Sequence, residues 1–367
     1  MHPPCRVQAA LSKVDFRFVS AGRLVYFSGR YGSPRTFQAR PLPQKNLAGQ
    51  PLFLAQVSTQ QWLNPKNVVG MRKTGMNHTD QGFSCHPHSQ SQCPLTSISE
   101  VCVNQTEYRV HGVRVERFIP LTPVQGPRPI VFVHGGCHGS WSWVHFLPYF
   151  AQAGWDCHAL NWFGHNGSAP HPEVGLLQRG IADVTEEIAH VAGQFEESPV
   201  IVAHSMGALA AQKYAECHPV SALVLLTPVV PTEVGGDVID LPIDPNQPWV
   251  PPPFEIARDL WFQGLEEDEA RTYFEKLCPE SPKAVYEATR WTVPIDRVKV
   301  SGPILVVSSE LDHLTPPAIG RSLATFYGAD YRYLRGRGHN VLLEPNWRET
   351  ASMVAAWLAH ETRIGAA

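Results

Sequence analysis

Hydrophobic positions change their spacing near residue 105 of this 367-residue chain. Beyond it, short apolar runs alternate with stretches of helical period. Residues 107–120 alternate well enough for a hairpin or two edge strands. The run PIVFVHGG (129–136) is continuous, β-branched and closed by glycines, which predicts a strand buried on both faces. Further strands are predicted at 155–160, 199–205, 221–230, 302–310 and 329–336. Helices are predicted at 141–154, 176–195, 206–219 (ending before Pro219) and 346–361. Strands and helices alternating through short connections predict an α/β fold, a mainly parallel sheet with helices on both faces.

Such sheets carry their chemistry at the carboxyl ends of the strands. His134-Gly135-Gly136 follows the first buried strand, and His204-Ser205-Met206-Gly207 follows the third. Glu310-Leu311-Asp312 and Gly338-His339 follow the last two. A serine, an aspartate and a histidine therefore stand just past strands, in the chain order known for α/β-hydrolases. The chain resembles the α/β-hydrolase superfamily over residues 105–367, most closely in HGGCHGSWSW (134–143), VAHSMGALAAQ (202–212), SSELDHLTPP (308–317) and GRGHNVLLEP (336–345). The first of these is similar to the plant methyl-esterase and hydroxynitrile-lyase branch.

The resemblance implies an esterase- or lipase-like serine hydrolase with an acyl-enzyme on Ser205, Asp312 as the acid and His339 as the base. Ser205 could instead cap the helix that follows it. Glu310 competes with Asp312. His134 reads as a residue that holds its own loop, and His138, His165, His204 and His313 have weaker claims. The oxyanion hole needs two N–H groups, assigned to Gly136 and Met206. Dehalogenases and epoxide hydrolases carry an aspartate where this chain has Ser205. Hydroxynitrile lyases carry a lysine where it has Asn340.

Residues 231–295 interrupt the pattern after the sixth strand of the core. A proline-rich stretch there precedes three short helices (254–264, 266–277 and 281–291), which predicts a helical cap over the serine. The core divides accordingly into 105–230 and 296–367. Trp141, Trp143, Trp261, Phe262 and Trp291 are the candidates to line an apolar pocket for a small-to-medium hydrophobic ester. An amidase, thioesterase, lactonase or C–C hydrolase would use the same residues. A non-catalytic ligand-binding protein of this fold is the alternative from another class.

Charge separates a further region. Residues 1–104 carry 11 Lys and Arg against Asp15, Asp80 and Glu100, a balance of +8. The remainder has 19 basic and 30 acidic residues, so the whole chain is near neutral at −3. That net charge is a poor footprint for a nucleic-acid binder, and no apolar run is long enough to span a membrane. Charges interrupt every candidate signal peptide, which predicts a cytoplasmic protein, with organellar import through the basic N-terminus as the alternative. Segment 1–104 reads as an extension, with short strands possible at 24–27 and 51–57. Cys85, His86, His88 and Cys93 form one isolated cluster, read as a loop rather than zinc ligands. The eight scattered cysteines read as thiols, and the chemistry needs neither cofactor nor metal.

Overall fold

The computed structural model describes residues 13–20, 23–30, 103–121 and 128–364. The chain divides after Ile98 into two compact units. In the first, Lys13–Ser20 (β1) and Arg23–Arg30 (β2) pair antiparallel, with Phe16 opposite Phe27. The strand expected at 24–27 falls within β2. Segment 51–57 and the Cys85–Cys93 cluster lie outside the described residues.

The second unit is built on one eight-stranded sheet. Its strands are Val103–Val110 (β3), Val113–Pro120 (β4), Pro129–Val133 (β5), Asp156–Leu160 (β6), Val200–His204 (β7), Ala222–Leu226 (β8), Ile304–Ser309 (β9) and Asp330–Leu334 (β10), in the order β10-β9-β8-β7-β5-β6-β4-β3. The pairs from β10 to β6 are parallel. The β3–β4 hairpin closes the edge antiparallel. This is the α/β-hydrolase fold expected from the sequence. After β6 the chain crosses to the other side of β5 to form β7, so a topological switch point opens at the carboxyl end of β5, where ligands bind in such sheets.

Alternate side chains of the central strands feed two cores. Val131, Val133, Ile201, Ala203 and Leu225 point to one face. Ile130, Phe132, Val202, Val224 and Leu226 point to the other. The first face is covered by Thr185–Ala192 (α2), Met206–Ala215 (α3) and Pro317–Tyr327 (α7) through Ile188, Val191, Leu209 and Leu323. Phe146–Gln152 (α1) and Trp347–Ile364 (α8) cover the second through Phe146, Phe150, Val354 and Leu358. Each such side chain, fully buried, contributes about 1.5–3 kcal/mol of transfer free energy, which holds the strand ends rigid.

Two expected helices are not continuous α-helix. The one at 141–154 opens as a 3₁₀ turn, Ser140–Trp143, before α1 begins. The one at 176–195 is broken, and only α2 is α-helical. Gly180 passes so close to the inserted segment that a Cβ there would lie 2.6 Å from Glu287 Oε1. Its neighbour Ile181 donates its N–H to Glu287 Oε2 at 2.7 Å.

The insertion between β8 and β9 carries the three expected helices, Phe254–Trp261 (α4), Glu267–Phe274 (α5) and Pro282–Arg290 (α6). Ser281 caps α6 by accepting from Ala284 N–H at 3.3 Å, with Pro282 in its first position. Phe254, Ala257, Leu260 and Trp261 of α4 join the core on the α1 and α8 side.

Candidate active site

The site forms where β5, β7, β8 and β9 end. Strand β7 passes into α3 through Ser205 alone, at φ 54° and ψ −121°. Holding a non-glycine residue there costs about 1–3 kcal/mol. The surroundings enforce it. Ser205 N–H donates to the Leu226 carbonyl at 3.1 Å, and the Ser205 carbonyl accepts from Ala208 and Val229 at 3.0 Å each. Gly207 permits the turn, because a Cβ there would stand 2.2 Å from the His134 carbonyl oxygen.

Ser205 occupies the N-cap position of α3, yet its side chain makes no capping bond. Its hydroxyl donates to His339 Nε2 at 2.9 Å, and His339 Nδ1 donates to Asp312 Oδ2 at 2.9 Å. The carboxylate can only accept, so it fixes the proton on Nδ1 and leaves Nε2 free to accept. Asp312 is itself saturated. Oδ1 accepts from Leu314 N–H and Thr315 N–H at 2.9 Å each, and Oδ2 accepts from the Thr315 hydroxyl at 2.6 Å. Burial alone would raise the Asp312 carboxyl. The bonds and charge from His339, with Thr315, override it and hold the group below its ordinary value.

Glu310, the competing acid, instead accepts Gly336 N–H at 2.7 Å away from the histidine. His313 is exposed. His134 donates to the Gly135 carbonyl of its own turn at 2.8 Å and accepts Trp162 N–H, from the segment after β6, at 3.1 Å.

The backbone of His339 is held from three directions. Its carbonyl accepts from the Thr227 hydroxyl at 3.0 Å and from His204 Nε2 at 3.1 Å. Its N–H donates to Gln263 Oε1, on the insertion, at 3.1 Å. Thr227 stands at φ 41°, an outlier for a β-branched residue. Sequence reasoning gave neither Thr227 nor Gln263 a role.

Gly136 and Met206 lie together beside Ser205. Met206 opens α3, so its N–H has no acceptor within the helix. The Met206 side chain covers Gly136 so closely that a Cβ on Gly136 would lie 2.1 Å from its sulfur. The turn around Gly136 is braced by His138 Nδ1, which donates to the Gly136 carbonyl at 2.7 Å, and by Cys137 N–H, which donates to Glu280 Oε2 at 3.0 Å. Asn340 donates to His138 Nε2 at 3.3 Å.

Ser205, Gly136 and Met206 border a cavity of about 60 Å³, room for several water-sized groups. Of the five aromatic residues singled out in the sequence, Trp261 and Trp291 line it. The other three tryptophan and phenylalanine candidates do not. Trp143 and Phe262 are fully buried in the core. Trp143 is packed there by Phe132 and Phe146, and Trp141 stacks on His138 and Tyr273. Their places are taken by Val229, Ile239, Leu241, Trp249, Leu314 and Thr315, with Val285, Ala288 and Thr289 of α6. The last three fall at i, i+3 and i+4 of a helix, a stripe readable in the sequence. None of the lining residues is charged.

Among the described residues, no cluster of His, Cys, Asp or Glu could hold a metal ion, and no helix is long and apolar enough to cross a membrane.

A strained serine between strand and helix, bonded to a histidine and through it to an aspartate, on this sheet order, defines the class. The profile of the alpha/beta hydrolase family matches residues 130–353, and the chain belongs to that family. It is 29% identical over 103 residues to Methylesterase 9 of Arabidopsis thaliana, a match spanning 28% of this chain and 40% of that relative. The fold is similar to that of a thermophilic esterase, with a TM-score of 0.54 at 19% identity over 71% of this chain and 98% of the other. It is likewise similar to an esterase from Rhodococcus sp., with a TM-score of 0.52 at 17% identity over 71% and 99%.

Proposed function

We propose that the protein is a serine hydrolase that cleaves a carboxylic ester of a small-to-medium hydrophobic substrate through an acyl-enzyme on Ser205. The observation that carries this reading is the hydrogen-bonded chain Ser205–His339–Asp312 opening onto an uncharged cavity. As Ser205 Oγ bonds to the acyl carbon, its proton passes to His339 Nε2, and the carbonyl π electrons move onto oxygen. Asp312 stabilises the imidazolium so formed. The N–H groups of Gly136 and Met206 receive the oxyanion, the second with the help of the α3 dipole. Collapse re-forms the carbonyl and expels the alkoxide, which takes the proton from His339. Water then repeats the cycle on the acyl-enzyme. The segment carrying α4–α6 acts as the cap, and its apolar lining selects an uncharged acyl or alcohol group. The likeness to a methylesterase supports an ester as the substrate.

The test is fluorophosphonate labelling with peptide mapping, alongside hydrolysis of a p-nitrophenyl ester series of increasing acyl length. We expect label on Ser205, none on Ser205→Ala, and turnover that favours short acyl chains. Label on another serine, or wild-type protein without turnover, overturns the reading.

A further inference from the structure

Four buried histidines surround the strand ends beside His339, and what faces their ring nitrogens sets them apart. His134 and His138 each donate from Nδ1 to a carbonyl and accept an N–H at Nε2, so each is neutral. His204 donates from Nε2 to the His339 carbonyl, and its Nδ1 has no partner. Burial holds all three below the ordinary histidine value, His138 at about 4. His165 differs. Its Nε2 faces Glu280 Oε2 at 3.0 Å and its Nδ1 faces the Phe163 carbonyl at 3.2 Å, both of which can only accept. With Glu280 ionised, a ring between these two acceptors carries both protons, which makes His165 an imidazolium in a fully buried site.

Its partner Glu280, 1% exposed, comes from the insertion. Glu280 Oε1 accepts Ser281 N–H at 2.8 Å, and Oε2 accepts Cys137 N–H. That second bond pins the peptide next to Gly136, and a Cβ on Gly136 would lie 3.5 Å from the same carboxylate oxygen. A carboxylate so close to the oxyanion position would oppose the charge that develops there. The adjacent imidazolium cancels it. The other groups facing the pair are His134, Cys137 and His138 from the β5 turn, Arg179 ahead of α2, and Cys278 from the insertion.

We infer that Glu280 and His165 are positioning residues for the oxyanion turn: the Glu280 carboxylate fixes Cys137 N–H and thereby Gly136, and the His165 imidazolium removes the electrostatic penalty of placing that carboxylate there. The inference rests on the serine-hydrolase reading above. It makes turnover depend on the balance of the pair more than on either member.

The test is a double-variant cycle in the full chain with p-nitrophenyl acetate. His165→Gln leaves an uncompensated carboxylate and lowers kcat about 100-fold, with KM changed less than about threefold. Glu280→Gln removes the charge and keeps an acceptor, lowering kcat about tenfold or less. Combining the two restores kcat at least about fivefold above His165→Gln, because the opposing charge is gone. Losses that simply multiply overturn the inference, because they would show two independent structural roles. A second measurement needs no variant. Nitrogen-15 NMR of the wild-type histidine rings at pH 7.5 finds His165 doubly protonated, and a neutral His165 overturns the inference even if the variants fail to fold. Failure of the underlying reading looks different: wild-type protein then shows neither turnover nor label on Ser205, whatever the state of His165.

Discussion

The two sides of the candidate site are built by different means. On one side, Ser205, Asp312 and His339 each stand at the end of a strand, and the strands are locked in register by parallel pairing. Asp312 takes its other three bonds from residues two and three positions away. On the other side, the Gly136 turn depends on partners far off in sequence. Cys137 bonds to Glu280 across 143 positions, and Glu280 meets His165 across 115. The first side is mainly a property of the sheet, with one bond from the insertion, His339 N–H to Gln263 Oε1. The second exists only once the insertion has docked on the core. Damage to the first should therefore strike chemistry directly, and damage to the second should strike geometry and stability together.

The strongest break on the sheet side is Asp312→Asn. The amide keeps the shape but can present N–H to His339 Nδ1, which moves the proton to Nε2 and removes the acceptor that Ser205 needs. Steady-state ester hydrolysis should fall on the order of 10³–10⁴-fold in kcat, with KM little changed. A loss below tenfold would show that the aspartate only packs the loop. Thr227→Val probes the same side more gently. It deletes one of two donors to the His339 carbonyl while conserving volume, and Thr227→Ser keeps the donor. One neutral hydrogen bond corresponds to a kcat loss of about two- to tenfold for the valine variant, and the serine variant should stay close to wild type. Equal losses in both would assign the effect to the strained backbone at φ 41° rather than to the hydroxyl.

The same division explains what could be read from the sequence. Ser205, Asp312 and His339 were legible because each sits in a local turn whose chemistry is written in adjacent residues, such as Ala203 and Gly207 around the serine. The strand series was legible for the same reason. Glu280 was not, since a lone glutamate ahead of Ser281-Pro282 looks like any solvated residue at a helix start. Its burial follows from a contact more than a hundred residues away. The break at Gly180 and the core placement of Trp143 and Phe262 have the same origin: aromatic character marks burial, but not whether the ring faces a cavity or the core. Helix α7 escaped notice because Gly320 interrupts its apolar stripe and two prolines, Pro316 and Pro317, stand at its start.

The insertion side can be sharpened by pH. Burial alone would lower the His165 pKa, but the Glu280 charge and hydrogen bonds override it and raise it to about 10. Burial alone would raise Glu280, and His165 overrides it, holding the carboxyl at about 2. A histidine raised above its ordinary 6.5 contributes stability that is complete below 6.5 and lost as pH climbs towards 10. A glutamate held below its ordinary 4.5 contributes stability that is complete above 4.5 and lost as pH falls towards 2. The pair therefore stabilises the fold most between pH 4.5 and 6.5. Asp312 shares the acid limb, but it is present in both wild type and the Glu280→Gln, His165→Gln double variant, so it cancels from their difference. Melting curves of the two proteins should differ most in that window and converge on both sides. The size is modest, about 2–4 °C for each kcal/mol in a body of this length. A difference that rises up to pH 6.5 and stays level above it would mean that His165 is neutral in the native state, and the Gly136 turn would then carry an unbalanced carboxylate at its back.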